Sequence, residues 1–280
     1  MKELPLRVKT AAVLASLVLA SVLAHRLSFY LLVAAVQAVC LWEYFGLIEK
    51  FLNYKDALRR RVRMLTVALA TAWHLSIWFA ADVADYYTLW LAFPLLLVVL
   101  TMAELLLTQR VSMKNLGLFF AGLICISGTL SHCYLISLPA TEEWRPWPAL
   151  LVLAVVLLIW ATDTAAYFCG KFWGKHRLAP LISPNKTWEG LVGGLVGAVA
   201  TALLLAEFMQ RHPIHFWIGL AVVVAVSSVM GDLGESWLKR KAGVKDAGRL
   251  LPGHGGMLDR FDGWLTAMPA SAYWMLTSSA

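Results

Sequence analysis

Long apolar runs alternate with short clusters of charge along this chain, and the runs are too long and uniform to be the half-buried faces of a soluble fold. A helix that crosses a bilayer needs roughly 20 apolar residues, and nine segments approach that length, at about 8–25, 28–48, 64–81, 86–107, 116–138, 148–169, 190–208, 214–231 and 263–279. The last is short and rich in Ser and Thr. The pattern predicts an all-α polytopic membrane protein with about nine transmembrane helices. Residues 1–138 are expected to carry the first five helices, and 139–280 a C-terminal membrane region of four helices with two polar loops, 170–189 and 232–262, where any chemistry would lie.

Charge supplies an orientation. All 24 Lys and Arg residues except Arg26, Arg145 and Arg211 fall on the side of the N-terminus, while the opposite loops carry Asp82, Asp85, Glu142 and Glu143. By the positive-inside rule the N-terminus is expected in the cytoplasm and, after nine spans, the C-terminus outside. This is the layout of an integral protein of a bacterial inner membrane. Composition agrees, because 60% apolar residues, 15% charged residues and a mean hydropathy of +0.70 exclude an ordinary soluble globule. Lys2, Arg7 and Lys9 ahead of an apolar run look signal-like, but no small-residue cleavage site leads into a soluble domain, so the first span is expected to be retained. The net charge of +7 then lies mainly on a cytoplasmic surface, where Arg59, Arg60 and Arg61 either set the topology alone or also meet anionic lipid headgroups. Loops this short, tied to lipid at both ends, do not suit nucleic acid. Cys40, Cys125, Cys133 and Cys169 form no CxxC pair, which argues against a disulfide framework or a zinc site.

Two polar stretches depart from this background. In the first, Asp163 falls inside a predicted span, and an acidic residue there is by default a functional candidate facing a polar cavity. It is followed by Ser183-Pro184-Asn185-Lys186-Thr187, a turn by composition, with Thr187 at the start of the next helix. Thr187 fits a helix N-cap, and Lys186 beside two hydroxyls at a helix start also fits a phosphate cradle. Gly190, Gly193, Gly194 and Gly197 then form overlapping GxxxG patterns, which bring the helix backbone close to a neighbour within one subunit or across a homodimer.

The second stretch carries Asp232 and Glu235 three residues apart, Lys239-Arg240, Lys245-Asp246, a Pro252-Gly253-His254-Gly255-Gly256 bend, and Asp259 and Asp262, again three apart, around Arg260. Two acidic pairs on two helix ends, joined by a basic Gly-rich loop, suit an oxygen-ligand site for a hard divalent cation. A salt-bridge network would explain the charges but not the glycines, which let a ligand approach the backbone. His254 fits a phosphate donor or proton carrier. Carboxylates for a metal and cations for spread negative charge are what transfer from a nucleoside triphosphate requires. No GxxxxGK[ST] or GxGxxG motif is present.

The run Ser236-x-Leu238-Lys239-Arg240, then Lys245-Asp246-x-Gly248, then Leu251-Pro252-x-His254-Gly255-Gly256-Met257-x-Asp259-Arg260-Phe261-Asp262 resembles the signature of the phosphatidate cytidylyltransferases, or CDP-diacylglycerol synthases. The DTAAYF, GKH and SPxKTWEG elements at Asp163, Gly174 and Ser183 extend the resemblance over roughly the C-terminal 120 residues, and the first five spans agree in hydropathy and length only. The resemblance implies CTP and phosphatidate as substrates, Mg²⁺ at Asp232, Asp259 and Asp262, and a second, monovalent cation such as K⁺. It implies phosphate contacts from Ser183, Lys186, Lys239, Arg240, Lys245 and Arg260. Together these expectations give Asp232, Lys239, Arg240, Asp246, His254, Asp259 and Asp262 as the catalytic set, with Asp163, Ser183, Lys186, Thr187, Lys245 and Arg260 binding substrate in contact with membrane lipid. A CTP-dependent lipid kinase is the nearest rival, and a transporter of a phosphorylated solute, with Glu43, Glu104 and Asp163 as an ion path, is the rival of another class. The chain shows no clear internal repeat to favour transport.

Overall fold

The structure, a computed structural model, describes residues 3–51, 57–80, 99, 113–136, 149–210 and 212–278. Apart from residue 99 the predicted span 86–107 lies outside the described residues, as do the loop acids Asp82, Asp85, Glu142 and Glu143, and Glu104. Helices α1 (Glu3–Ala24), α2 (Arg26–Phe51) and α3 (Ala57–Ala80) open the chain. Next, α4 (Met113–Gly122) passes through a π-helical turn (Leu123–Gly128) into α5 (Thr129–Ile136). The C-terminal part holds α6 (Ala149–Trp173), α7 (Trp188–Met209), α8 (Ile214–Lys241) and α9 (Leu258–Ser278). Strands β1 (Arg177–Ala179) and β2 (Ser183–Thr187) pair antiparallel between α6 and α7, so the all-α expectation gains one small hairpin.

Among the described residues six segments are long and apolar enough to cross a membrane: Pro5–Ala24, Arg26–Lys50, Gly117–Tyr134, Leu150–Trp173, Trp188–Met209 and Ile214–Lys241. The molecule is an α-helical polytopic membrane protein. The described residues of the predicted spans 64–81 and 263–279 are helical, but α3 opens on a cluster of arginines, and α9 carries Asp259, Arg260, Asp262 and Pro269. Neither is apolar enough to qualify on its own.

Small residues set the helix spacing. A Cβ at Gly193 or Gly197 would overlap Cys169 or Ala165 of α6, and one at Gly194 would lie 3.0 Å from the Thr162 carbonyl. The GxxxG seam is therefore spent on α6 within the same chain, backbone against backbone. The same device joins α8 to α9, since a Cβ at Gly231 would overlap the Asp262 carbonyl and Thr266 Oγ1 donates to the Ser227 carbonyl at 2.5 Å. This contact puts the polar end of α8 beside the first turn of α9.

Candidate active site

Helix α8 does not stop at residue 231, where apolar sequence ends, but continues ten residues through the charged segment to Lys241. Asp232 and Glu235, at i and i+3, consequently share one face, and Lys239 follows Glu235 at i+4. From α9, Asp262 approaches the same face. Carboxylate oxygens of Asp232, Glu235 and Asp262 all lie within 4.8 Å of one another. Glu235 is only 6% exposed, and its Oε1 has no hydrogen-bond partner. Burial, and then the Asp232 carboxylate, push Asp262 above the ordinary carboxylate range. Three hard oxygen donors crowded in this way fit a divalent cation such as Mg²⁺, which would relieve their mutual repulsion.

Two lysines already border the cluster. Lys186 Nζ, on β2, lies 2.5 Å from Asp232 Oδ2, so the hairpin brings its cation onto the end of α8. Arg240 holds the hairpin from the other side by donating through Nε to the Ile182 carbonyl at 3.2 Å. Lys239 Nζ bridges Glu235 Oε2 at 2.5 Å and Asp259 Oδ1 at 2.6 Å.

Asp259 thus stands apart from the other two expected metal ligands. Its Oδ2 accepts from the Ala247 and Gly256 amides at 2.8 and 2.7 Å, so this carboxylate folds the 242–257 loop over the start of α9. Burial alone would raise its pKa, but the Lys239 ammonium and the Gly256 N–H hold it below the usual carboxylate range. Gly253 and Gly255, at φ of 76° and 85°, make the tight turn in which the Leu251 amide donates to the Gly255 carbonyl.

The remaining expected residues divide by position. Asp163, His254 and Arg260 line one cavity, and Arg260 Nε donates to the His254 carbonyl at 3.1 Å. Burial, then the Arg260 guanidinium, hold the His254 pKa below the ordinary histidine value. Thr187 is buried and caps α7, its Oγ1 accepting from the Gly190 amide at 3.1 Å. Ser183 is half-buried at the start of β2, and Lys245 and Asp246 are exposed in the loop.

Two acids stand in positions that the expected catalytic and binding set left out. Glu235 had a usable signal in its spacing from Asp232. Glu43, on α2, is 7% exposed and accepts from the Met257 and Leu258 amides at 3.1 and 2.8 Å, serving the N-terminus of α9 rather than an ion path. A Cβ at Gly248 would overlap Glu43 Oε1, and one at Gly256 would lie 2.5 Å from Oε2. Those two glycines make room for the carboxylate.

The chain matches the model of the Cytidylyltransferase family over residues 5–278. Among curated proteins it is similar to a phosphatidate cytidylyltransferase of Brucella suis, 43% identical over 168 residues, covering 59% of this chain and 58% of that protein. The Staphylococcus epidermidis phosphatidate cytidylyltransferase is 39% identical over 173 residues, 61% of this chain and 65% of the relative. That of Haemophilus influenzae is 45% identical over 128 residues, 44% of each chain. In all three the match spans less than two thirds of the relative's own length.

Proposed function

The chain belongs to the cytidylyltransferase family, and from that premise we propose that it transfers the cytidylyl group of CTP to phosphatidate, giving CDP-diacylglycerol and pyrophosphate, at a site on the cytoplasmic face of the membrane. The observation that carries this reading is the convergence of Asp232, Glu235 and Asp262 with Lys186 at one end of α8. The distribution of Lys and Arg supports the orientation.

Phosphatidate presents an oxygen that is already anionic, so no strong general base is required. That oxygen attacks the α phosphorus of CTP, a P–O bond forms, and the bond to the departing pyrophosphate breaks with its electron pair. The difficulty lies in bringing two polyanions together, which charge neutralisation and alignment solve. Asp232, Glu235 and Asp262 would hold Mg²⁺, which when bound would supply neutralisation of the triphosphate charge. Lys186 offers a second positive charge at the mouth of the same cluster. Lys239 fixes Glu235 relative to Asp259, and Asp259 in turn holds the loop that carries His254. The K⁺ expected from the family resemblance belongs to the same proposal as a second cation.

The deciding assay uses purified protein in detergent with Mg²⁺, phosphatidate and CTP labelled at the α or the γ phosphate. The α label is expected in lipid and the γ label in pyrophosphate, with EDTA abolishing both. Transfer of the γ label to lipid would instead identify a CTP-dependent kinase, and transfer of neither would favour a transporter.

A further inference from the structure

A cavity of about 270 Å³ opens between α1, α6 and the start of α9, and its walls change character from one end to the other. Its polar part is made by Thr10, Asp163, His254 and Arg260. The buried His254 Nδ1 makes no hydrogen bond of standard geometry, its polar company being the Pro252 backbone. The lining residue Phe261 immediately precedes Asp262 at the start of α9, so this end adjoins the carboxylate cluster. The apolar part is lined by Leu14 and Val18 of α1 and by the aromatic rings of Trp160, Phe261 and Trp264.

Helix α1 is built to wall such a space. The cavity-lining positions Thr10, Ala11, Leu14, Ala15 and Val18 recur at helical spacing on one face, and the small Ala11 and Ala15 leave the volume open. Val13 and Leu17, outside that lining, are each 53% exposed, as expected of a lipid-facing surface. The cytoplasm-proximal end of α1 is pinned to the loop, with Thr10 Oγ1 donating to the Pro252 carbonyl at 3.0 Å. Farther along, only Val18 and Val22 of its described residues are buried. A ligand with an anionic head and a hydrocarbon tail matches both ends at once, the guanidinium and imidazole meeting the head and the α1 stripe meeting the first methylenes. The volume is too small for two acyl chains, which therefore extend past α1 into the bilayer.

We propose that this cavity is the lipid-substrate pocket, in which α1 and Trp160 seat the glycerol and proximal acyl chain of phosphatidate while Arg260 and His254 hold its phosphate toward the carboxylate cluster. The proposal rests on the cytidylyltransferase reading for its ligand but assigns α1 a role which that reading does not require. Two measurements test it. In wild-type protein, phosphatidate bearing a diazirine close to the glycerol should, on illumination, label peptides containing residues 10–18 or Trp160, with excess unmodified phosphatidate suppressing the label. Labelling confined to α7 or to the outer face of α1 would overturn the assignment. In turnover assays Ala15→Trp should raise the KM for phosphatidate at least tenfold and leave the KM for CTP within twofold, whereas Ser16→Trp, on the exposed face opposite the lining, should change neither. An Ala15→Trp enzyme with an unaltered KM for phosphatidate would overturn the pocket while leaving the cytidylyltransferase reading intact. Absence of CDP-diacylglycerol from the wild-type enzyme would overturn the reading, and the labelling pattern would still decide the pocket.

Discussion

Replacing Glu43 probes the link between the N-terminal helices and the active site more directly than any change within the site itself. Glu43→Gln keeps the volume and one acceptor oxygen but turns an NH₂ group toward the Met257 or Leu258 amide. Loss of one charge-assisted hydrogen bond costs about 1.5–3 kcal/mol. Removing a carboxylate from a helix N-terminus costs roughly 0.3–1 kcal/mol more. Together these give about 2–4 kcal/mol, which shifts the balance between ordered and opened loop by a factor of ~30 to ~1000. Hydrogen exchange by mass spectrometry should show the amides of 245–257 exchanging faster, and turnover should fall at least tenfold, while Glu207→Gln on the exposed side of α7 does nothing. A double-mutant cycle sharpens the test. Gly248→Ala should be damaging in the wild type because its Cβ overlaps Glu43 Oε1, and nearly silent in Glu43→Ala, where that atom is gone. Equal damage in both backgrounds, or wild-type exchange and turnover in Glu43→Gln, would refute the assignment of Glu43 as the brace of this loop.

Glu235→Gln should raise the Mg²⁺ concentration for half-maximal activity by at least about tenfold, because it removes one of three carboxylate charges from the proposed metal site. A titration indistinguishable from wild type would remove Glu235 from the ligand set. For topology, in a background lacking Cys40, Cys125, Cys133 and Cys169, cysteine at His215 should react with an impermeant maleimide in intact cells, and cysteine at Arg60 only after lysis. The reverse pattern would invert the orientation and move the site to the outer face.

Hydropathy located the long helices because crossing a bilayer imposes a length and an apolar composition on each. It failed where helices are held by something else. The extension of α8 to Lys241 depends on pairing of Glu235, Lys239 and Asp259, which a hydropathy window reads only as polarity. Helix α9 starts at Leu258, five residues before its apolar run, because Glu43 and Asp259 satisfy amides around its first turn. The hairpin was legible only as a turn, its strands being three and five residues long. Among site residues, Asp232 and Asp262 were readable from local spacing and the family resemblance. Asp259 was readable as important, but its orientation toward Lys239 and two backbone amides is set by the loop's path. Glu43 could be singled out as an acid in an apolar helix, yet nothing near it in sequence names its partner.

The distance between Glu43 and that partner has a consequence for biogenesis. The amides it receives are 214 and 215 residues later in the chain. At a synthesis rate of about 5–20 residues per second, they emerge roughly 10–40 s after α2. Throughout that interval α2 resides at the translocon or in lipid with a carboxyl group whose final partners do not yet exist. When α9 arrives, its own unsatisfied first-turn amides meet that carboxyl, and a helix too polar to insert on hydropathy alone gains a reason to dock. Docking of α9 and ordering of the loop that precedes it are thereby one event, so under the proposed function a partly made chain in the membrane would be inert and would acquire activity in a single late step.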